Sequence, residues 1–162
     1  MSRQATAVHE AGHAVIGRVL GMVCGEATIV PDNADEMGHA HPENPLHRWK
    51  RGDGSRKQLA DDFCISLYAG AEAEKLILGG EDVGDGVDNE RATHCLCALG
   101  IPGAAFVGDD AWERYEDRLH QKAATLVRAH RSKIEIVAGA LLQRGTLSSE
   151  EIDALVGAES VG

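Results

Sequence analysis

A mainly helical α+β domain with one small β-hairpin or edge strand is predicted by three features of the 162-residue sequence. Apolar residues make up 43% of the chain but aromatics only 4%, so the interior has to be assembled from Ala, Val, Leu and Ile packed on helices. Apolar positions recur at helical spacing in most segments, which favours helix throughout. One stretch alone, Glu26 to His41, carries a β-prone run interrupted by a turn. A chain of this length holds one compact core, with no room for a second full domain, and residues 1–162 are read as a single unit.

The first helix is expected over residues 3–20, ending at Gly21. Residues Glu26 to Val30 are β-prone and run into the turn Pro31-Asp32-Asn33; Met37 to His41 would return as the second strand before Pro42, giving a hairpin over 26–41. A loop containing Pro45, Gly52 and Gly54 leads to Ser55, a good N-cap for a long helix over 55–79. A glycine-rich acidic loop precedes a helix over 88–99, which Gly100, Pro102 and Gly103 terminate. Asp109 or Asp110 caps a helix over 109–130, with Trp112, Tyr115, Leu119 and Leu126 on one face. A helix over 132–143 follows, and Ser148 with Glu151 forms a capping box for a short one over 149–156.

A net charge of -10 argues against nucleic acid or an anionic membrane surface as partner, since both repel an acidic protein. No window approaches the roughly 20 apolar residues of a membrane span, and the Met1 end has no signal layout, so a cytoplasmic location is expected. The four cysteines, Cys24, Cys64, Cys95 and Cys97, are too few and too irregular for a disulfide scaffold and read as reduced, packed thiols. Cys95 and Cys97 point to nearly opposite sides of a helix, which spoils them as a metal pair.

The chemistry centres on His9-Glu10-Ala11-Gly12-His13, an HExxH pattern inside a helix. Four helical residues span about 40° of rotation and roughly 6 Å of rise, so both imidazoles project from one face towards a single metal ion. Glu10, about 100° round from His9, is within reach of a water on that ion. The pair borders the sector of Val8, Gly12, Val15, Ile16 and Val19, which turns the histidines inward. Two acids downstream sit at apolar registers. Asp88 falls in the stripe of Ala92, Cys95, Leu96 and Leu99, either as a third metal ligand or as a first-turn Asp favoured by the helix dipole. Glu74 lies near the centre of the sector of Leu59, Phe63, Leu67, Gly70, Ile77 and Leu78, while Glu72 points away. Buried there, Glu74 needs a partner: a ligating imidazole whose N–H it accepts, or an Arg in a core ion pair.

These segments resemble the peptidase domain of the FtsH-type ATP-dependent zinc metalloproteases, a zincin-type helical fold. The resemblance is carried by Thr6 to Ala14 at the metal helix, Ala27 to Pro31 at the first strand and Ala69 to Glu74 in the long helix. It continues with Gly86 to Asp88 into Glu90-Arg91-Ala92-Thr93, then Leu141-Leu142, then Thr146-Leu147 into Glu150-Glu151-Ile152. The family pattern implies one zinc ion held by His9, His13 and Asp88, Glu10 as the general base on a zinc-activated water, and Glu74 as the buried acid of the long helix. The expected function is therefore a zinc-dependent endopeptidase acting on unfolded or flexible polypeptides. The alternative is a non-catalytic or partner-activated relative that retains the metal site, with Glu81 to Asp85 as a covering loop.

Met37, Gly38, His39, Ala40 and His41 would hold an extended substrate by backbone pairing. His39 or His41 would help hold the oxyanion, or both are ordinary exposed strand histidines. His47, His94, His120 and His130 show no ligand geometry. Pro42 to Arg56 and Gly79 to Gly86 match the family poorly, and the sequence holds no GxxxxGK[ST] phosphate loop. A separate ATPase or adaptor chain is thus an expected partner wherever substrates are folded, and a monomer or a small homo-oligomer is equally open.

Overall fold

The computed structural model describes residues 2–31, 38, 40–80, 86–100 and 109–157. Along them run α1 (Arg3–Val19), β1 (Ala27–Thr28), α2 (Pro45–Arg51), α3 (Arg56–Leu78), α4 (Gly86–Ala98), α5 (Asp110–Ala129), α6 (Arg131–Arg144), β2 (Thr146–Leu147) and α7 (Ser149–Gly157). The architecture is mainly α. Local chemistry sets the helix starts, since each cap below satisfies an amide that the first turn leaves without an intrahelical partner. Ser2 accepts from the amide of Ala5, Ser55 from Gln58 and Asp109 from Trp112. Ser148 accepts from Glu151 at 3.1 Å while the Glu151 carboxylate takes the Ser148 amide at 3.2 Å, a reciprocal box at the head of α7.

Helix α1 is the centre of the fold. Every residue from Thr6 to Gly17 is buried, because α3 packs along one side of α1 and α6 along another. The approach to α3 is close: a Cβ on Gly12 would stand 2.6 Å from the Ala69 carbonyl oxygen and 3.0 Å from the Ala73 methyl. Small residues on both faces, Gly12 against Ala69 and Ala73, let the two backbones nearly touch. On the far side of α3, the stripe Trp112, Tyr115, Leu119, Ala123 and Val127 buries α5. Tyr115 donates its hydroxyl to Asp61 of α3, so the phenol enters the core with its polar end satisfied.

Two expectations need revision. Among the described residues the small antiparallel sheet is formed by β1 with β2, Ala27 opposite Leu147 and Thr28 opposite Thr146, a pairing not expected from the sequence. Gly38, Ala40 and His41 are not in a strand, and Met37 and His39 lie outside the described residues. The ladder is extended at its Thr28 end, where Ile29 donates to the Gly145 carbonyl at 2.8 Å and the Thr28 and Thr146 hydroxyls meet at 2.7 Å. Gly145, at φ +80°, makes the turn that delivers β2. The second correction is α2, which falls in the stretch expected to be loop. Asn44 accepts from the Leu46 amide, Pro45 occupies the first turn, and Gly52 at φ +81° ends the helix. Its anchor is Arg48, buried at 5% exposure, which donates to Asp62 at 3.1 Å and to the Leu20 carbonyl at 2.9 Å. A helix anchored by a charged residue leaves no apolar periodicity to read.

The contact at Gly12 yields a test. Gly to Ala inside a helix ordinarily stabilises by up to about 1 kcal/mol. Here Gly12→Ala is expected to destabilise the fold by roughly 1–3 kcal/mol, because neither backbone can yield without moving a whole helix. Urea unfolding measures it, and a stabilised variant would contradict the close packing of α1 on α3.

Candidate metal centre

Burial of α1 on all sides encloses three ionisable side chains, with His9 5%, Glu10 7% and His13 6% exposed. Each imidazole is oriented by a bond from its Nδ1. That of His9 is hydrogen-bonded to Glu74 of α3, itself 3% exposed, and that of His13 donates to the Ser66 carbonyl at 2.8 Å. With both Nδ1 atoms engaged, both Nε2 atoms face the same space. The rings meet edge to face, their centroids 4.6 Å apart and their planes at 81°.

The first turn of α4 supplies a carboxylate to that space. Asp88 Oδ2 lies 2.9 Å from His9 Nε2 and 3.2 Å from His13 Nε2. The three donor atoms, two imidazole nitrogens and one carboxylate oxygen, all fall within 4.8 Å of one another. Ligands about 2.0–2.1 Å from a tetrahedral zinc ion stand roughly 3.3 Å apart, so the spacing of this trio suits a divalent ion and the donor types suit zinc. Gly70 supplies the room. A Cβ there would sit 2.7 Å from both Nε2 atoms, so only a glycine leaves the imidazole tips clear on the α3 side. Gly38 plays a similar part beside Glu10: its Cβ would come within 3.3 Å of Glu10 Cγ and 2.7 Å of the Thr28 carbonyl oxygen.

The electrostatics follow from this crowding. Burial works against a charged His9, but the bonds to Asp88 and Glu74 and the nearby Glu10 charge outweigh it and raise its pKa to about 10. Burial likewise opposes an ionised Asp88, yet its bonds from His13 and His9 hold its carboxyl well below the usual range. Without a metal the centre is therefore a buried ion pair, and a cation entering it has to displace the His9 proton.

Of the residues singled out in the sequence, His9, Glu10, His13, Glu74 and Asp88 all belong to this cluster. Gly38 adjoins it through Glu10, whereas Met37, His39 and the acidic loop Glu81 to Asp85 lie outside the described residues. Two participants escaped the sequence. The Ser66 carbonyl is invisible because any residue carries one, and the signal at Gly70 was only that a glycine interrupts an apolar stripe. Among the other histidines, His120 stacks on Tyr68 with centroids 3.8 Å apart and pairs with Glu72 at 3.4 Å. Glu72 is thus half-buried and paired, not merely turned to solvent.

Fold and donor set together define a helical domain with the makings of a mononuclear metal centre. No model of a known protein family matches the chain. Comparison with curated proteins is informative. ATP-dependent zinc metalloprotease FtsH 3 of Sorangium cellulosum is 32% identical over 176 residues, covering 94% of this chain and 28% of that protein. The FtsH of Thermus thermophilus is 30% identical over 190 residues, covering 95% and 29%. That of Lactiplantibacillus plantarum is 27% identical over 185 residues, covering 93% and 24%. The chain belongs with the FtsH-type zinc metalloproteases as a distant relative of their peptidase region. It spans about a quarter of the length of these relatives, whose names attribute ATP dependence, zinc and proteolysis to the whole proteins.

Two outcomes are expected. In the metal-free protein, His9 has a folded pKa raised from 6.5 to about 10, so its ion pair contributes stability fully present below about pH 6.5 and lost as the pH rises through about 10. Thermal unfolding of chelator-treated protein should show this loss, and Asp88→Asn should show less of it; equal pH dependence in both would contradict the pair. Gly70→Ala should leave a folded helical protein that no longer retains a divalent ion, measured as metal content after gel filtration.

Proposed function

We propose that the chain is a zinc-dependent endopeptidase in which His9, His13 and Asp88 hold one zinc ion and Glu10 is the general base. One observation carries the reading: two imidazole nitrogens and a carboxylate oxygen converge within 4.8 Å beside a buried glutamate. A bound zinc ion would supply Lewis acidity, making a water nucleophilic near neutral pH and polarising a peptide carbonyl. Glu10 takes the proton of the attacking water and returns it to the leaving amine as the peptide bond breaks. Glu74 and the Ser66 carbonyl keep both imidazoles in the tautomer with Nε2 free, so no reorientation is needed during turnover. The walls that exclude bulk water come from the close packing of α1 and α3 at Gly12 and Gly70.

The substrates are unfolded or flexible polypeptides. An extended chain would lie along the segment from Met37 to His41, of which Gly38 adjoins Glu10 and the Thr28 carbonyl of β1. ATP-driven unfolding of folded substrates is assigned to an ATPase module or adaptor, in keeping with the ATP dependence in the names of the relatives. Four free thiols support a reducing, cytoplasmic setting for the reaction.

Zinc content and hydrolysis of an unfolded protein such as reduced casein test the reading. Wild-type protein should bind one zinc ion and cleave; chelation should abolish cleavage and zinc should restore it. Glu10→Gln should keep the metal while losing about 100- to 10,000-fold in rate. Glu74→Gln should weaken zinc affinity by roughly 10- to 100-fold. Cleavage by Glu10→Gln at the wild-type rate would remove the base from the mechanism.

A further inference from the structure

The main chain at Gly38 is wedged between α1 and β1. A Cβ on Gly38 would lie 2.7 Å from the Thr28 carbonyl oxygen, 3.0 Å from Thr6 Cγ2 and 3.3 Å from Glu10 Cγ. Two of these three neighbours are held in place. Thr28 sits in the ladder of β1 with β2, opposite Thr146, and the two hydroxyls meet at 2.7 Å. Thr6 is buried one turn before Glu10 on α1, so both residues turn the same way. Its hydroxyl donates to the Ser2 carbonyl at 3.1 Å, which fixes the direction of its methyl. Ala40, two residues beyond Gly38, is buried in the core and tethers the segment. The third neighbour is the side chain of Glu10. From this wedge we propose that Gly38 is a positioning residue for the general base: its bare main chain, seated against Thr28 and Thr6, closes one side of Glu10 and sets where the carboxylate stands.

The role requires glycine because the approach is too close for a side chain. An added methyl at Gly38 has to displace something. The Thr28 carbonyl moves only with its strand, and the Thr6 methyl turns only if the hydroxyl gives up Ser2. What yields is the flexible Glu10 side chain, or else the Gly38 segment lifts off it; in both cases Glu10 loses its seat. The metal ligands are spared, since the three atoms nearest the missing Cβ belong to Thr28, Thr6 and Glu10 and none to His9, His13 or Asp88. A general base works only within hydrogen-bond reach of the proton it takes, and a displacement of about 1 Å costs on the order of 100-fold in rate. The catalytic part of this inference rests on the peptidase reading; the placement of Glu10 rests on the contacts alone.

Carbon-13 NMR of the full chain, labelled at the glutamate side-chain carboxyl carbon, tests the placement without any assay of activity. The Glu10 line is the one missing from Glu10→Gln, and the Glu74 line the one missing from Glu74→Gln. In Gly38→Ala the Glu10 line should shift or split while the Glu74 line stays. Thr6→Ser removes only the methyl beside Gly38 and keeps the hydroxyl; it loosens the same wedge and should move the Glu10 line by a smaller amount. A Glu10 line unmoved in folded Gly38→Ala overturns the proposal, as does one unmoved in Thr6→Ser where Gly38→Ala does not fold. Against unfolded casein, Gly38→Ala should keep its zinc and its KM while kcat falls about 10- to 100-fold. A raised KM at unchanged kcat would make Gly38 a substrate contact alone, and loss of zinc would put the effect on the metal ligands; either result overturns the proposal. Wild-type protein that does not cleave would sink the peptidase reading and leave the Glu10 line to decide the placement.

Discussion

Helix α1 puts two imidazoles and a carboxylate into the interior of a protein small enough that one helix can be wrapped on every side. Taking such groups out of water costs several kcal/mol each unless partners replace the lost hydration. Much of the surrounding structure follows from that requirement. Helix α3 supplies Glu74 and the Ser66 carbonyl to the Nδ1 atoms, and α4 supplies Asp88 to the Nε2 atoms. Each of the two imidazoles thus has one fixed side and one side turned to a shared centre. The arrangement is tolerable as a buried ion pair and well suited to a divalent cation, which serves the same electrostatic need.

The spacing that creates the centre is set by what is missing from side chains. Gly12 lets α1 approach the backbone of α3, and Gly70 keeps the imidazole tips clear. Both act by close contact, and both lie on the facing surfaces of the same helix pair. The metal-binding geometry and the helix packing are therefore one constraint. Helix α4 is attached differently, through Ala92 and Leu96, so the carboxylate rests on a helix with a smaller buried face.

What was legible in the sequence was whatever depends on short-range order. HExxH declares its geometry because a helix fixes the direction of residues four apart. Asp88 and Glu74 stood out as acids at apolar registers, and the caps at Ser55, Asp109 and Ser148 follow from local hydrogen bonding. The failures concern long-range pairing and polar anchoring. β1 finds its partner more than a hundred residues away because Gly145 and Thr146 deliver matching groups there, which no local pattern announces. Helix α2 was hidden because Pro45 and Gly52, read as loop signals, are its first-turn and terminating residues, and because its buried anchor is Arg48. The Ser66 carbonyl has no side-chain signature at all.

The central claim is that His9, His13 and Asp88 share one zinc ion. X-ray absorption at the zinc edge, recorded on the zinc-loaded full chain, measures that shell directly. The account predicts two imidazole nitrogens with the remaining ligands oxygen, and loss of one oxygen-donor contribution or of the metal itself in Asp88→Asn. A shell containing sulfur, or one lacking the multiple-scattering signature of imidazole, would contradict it.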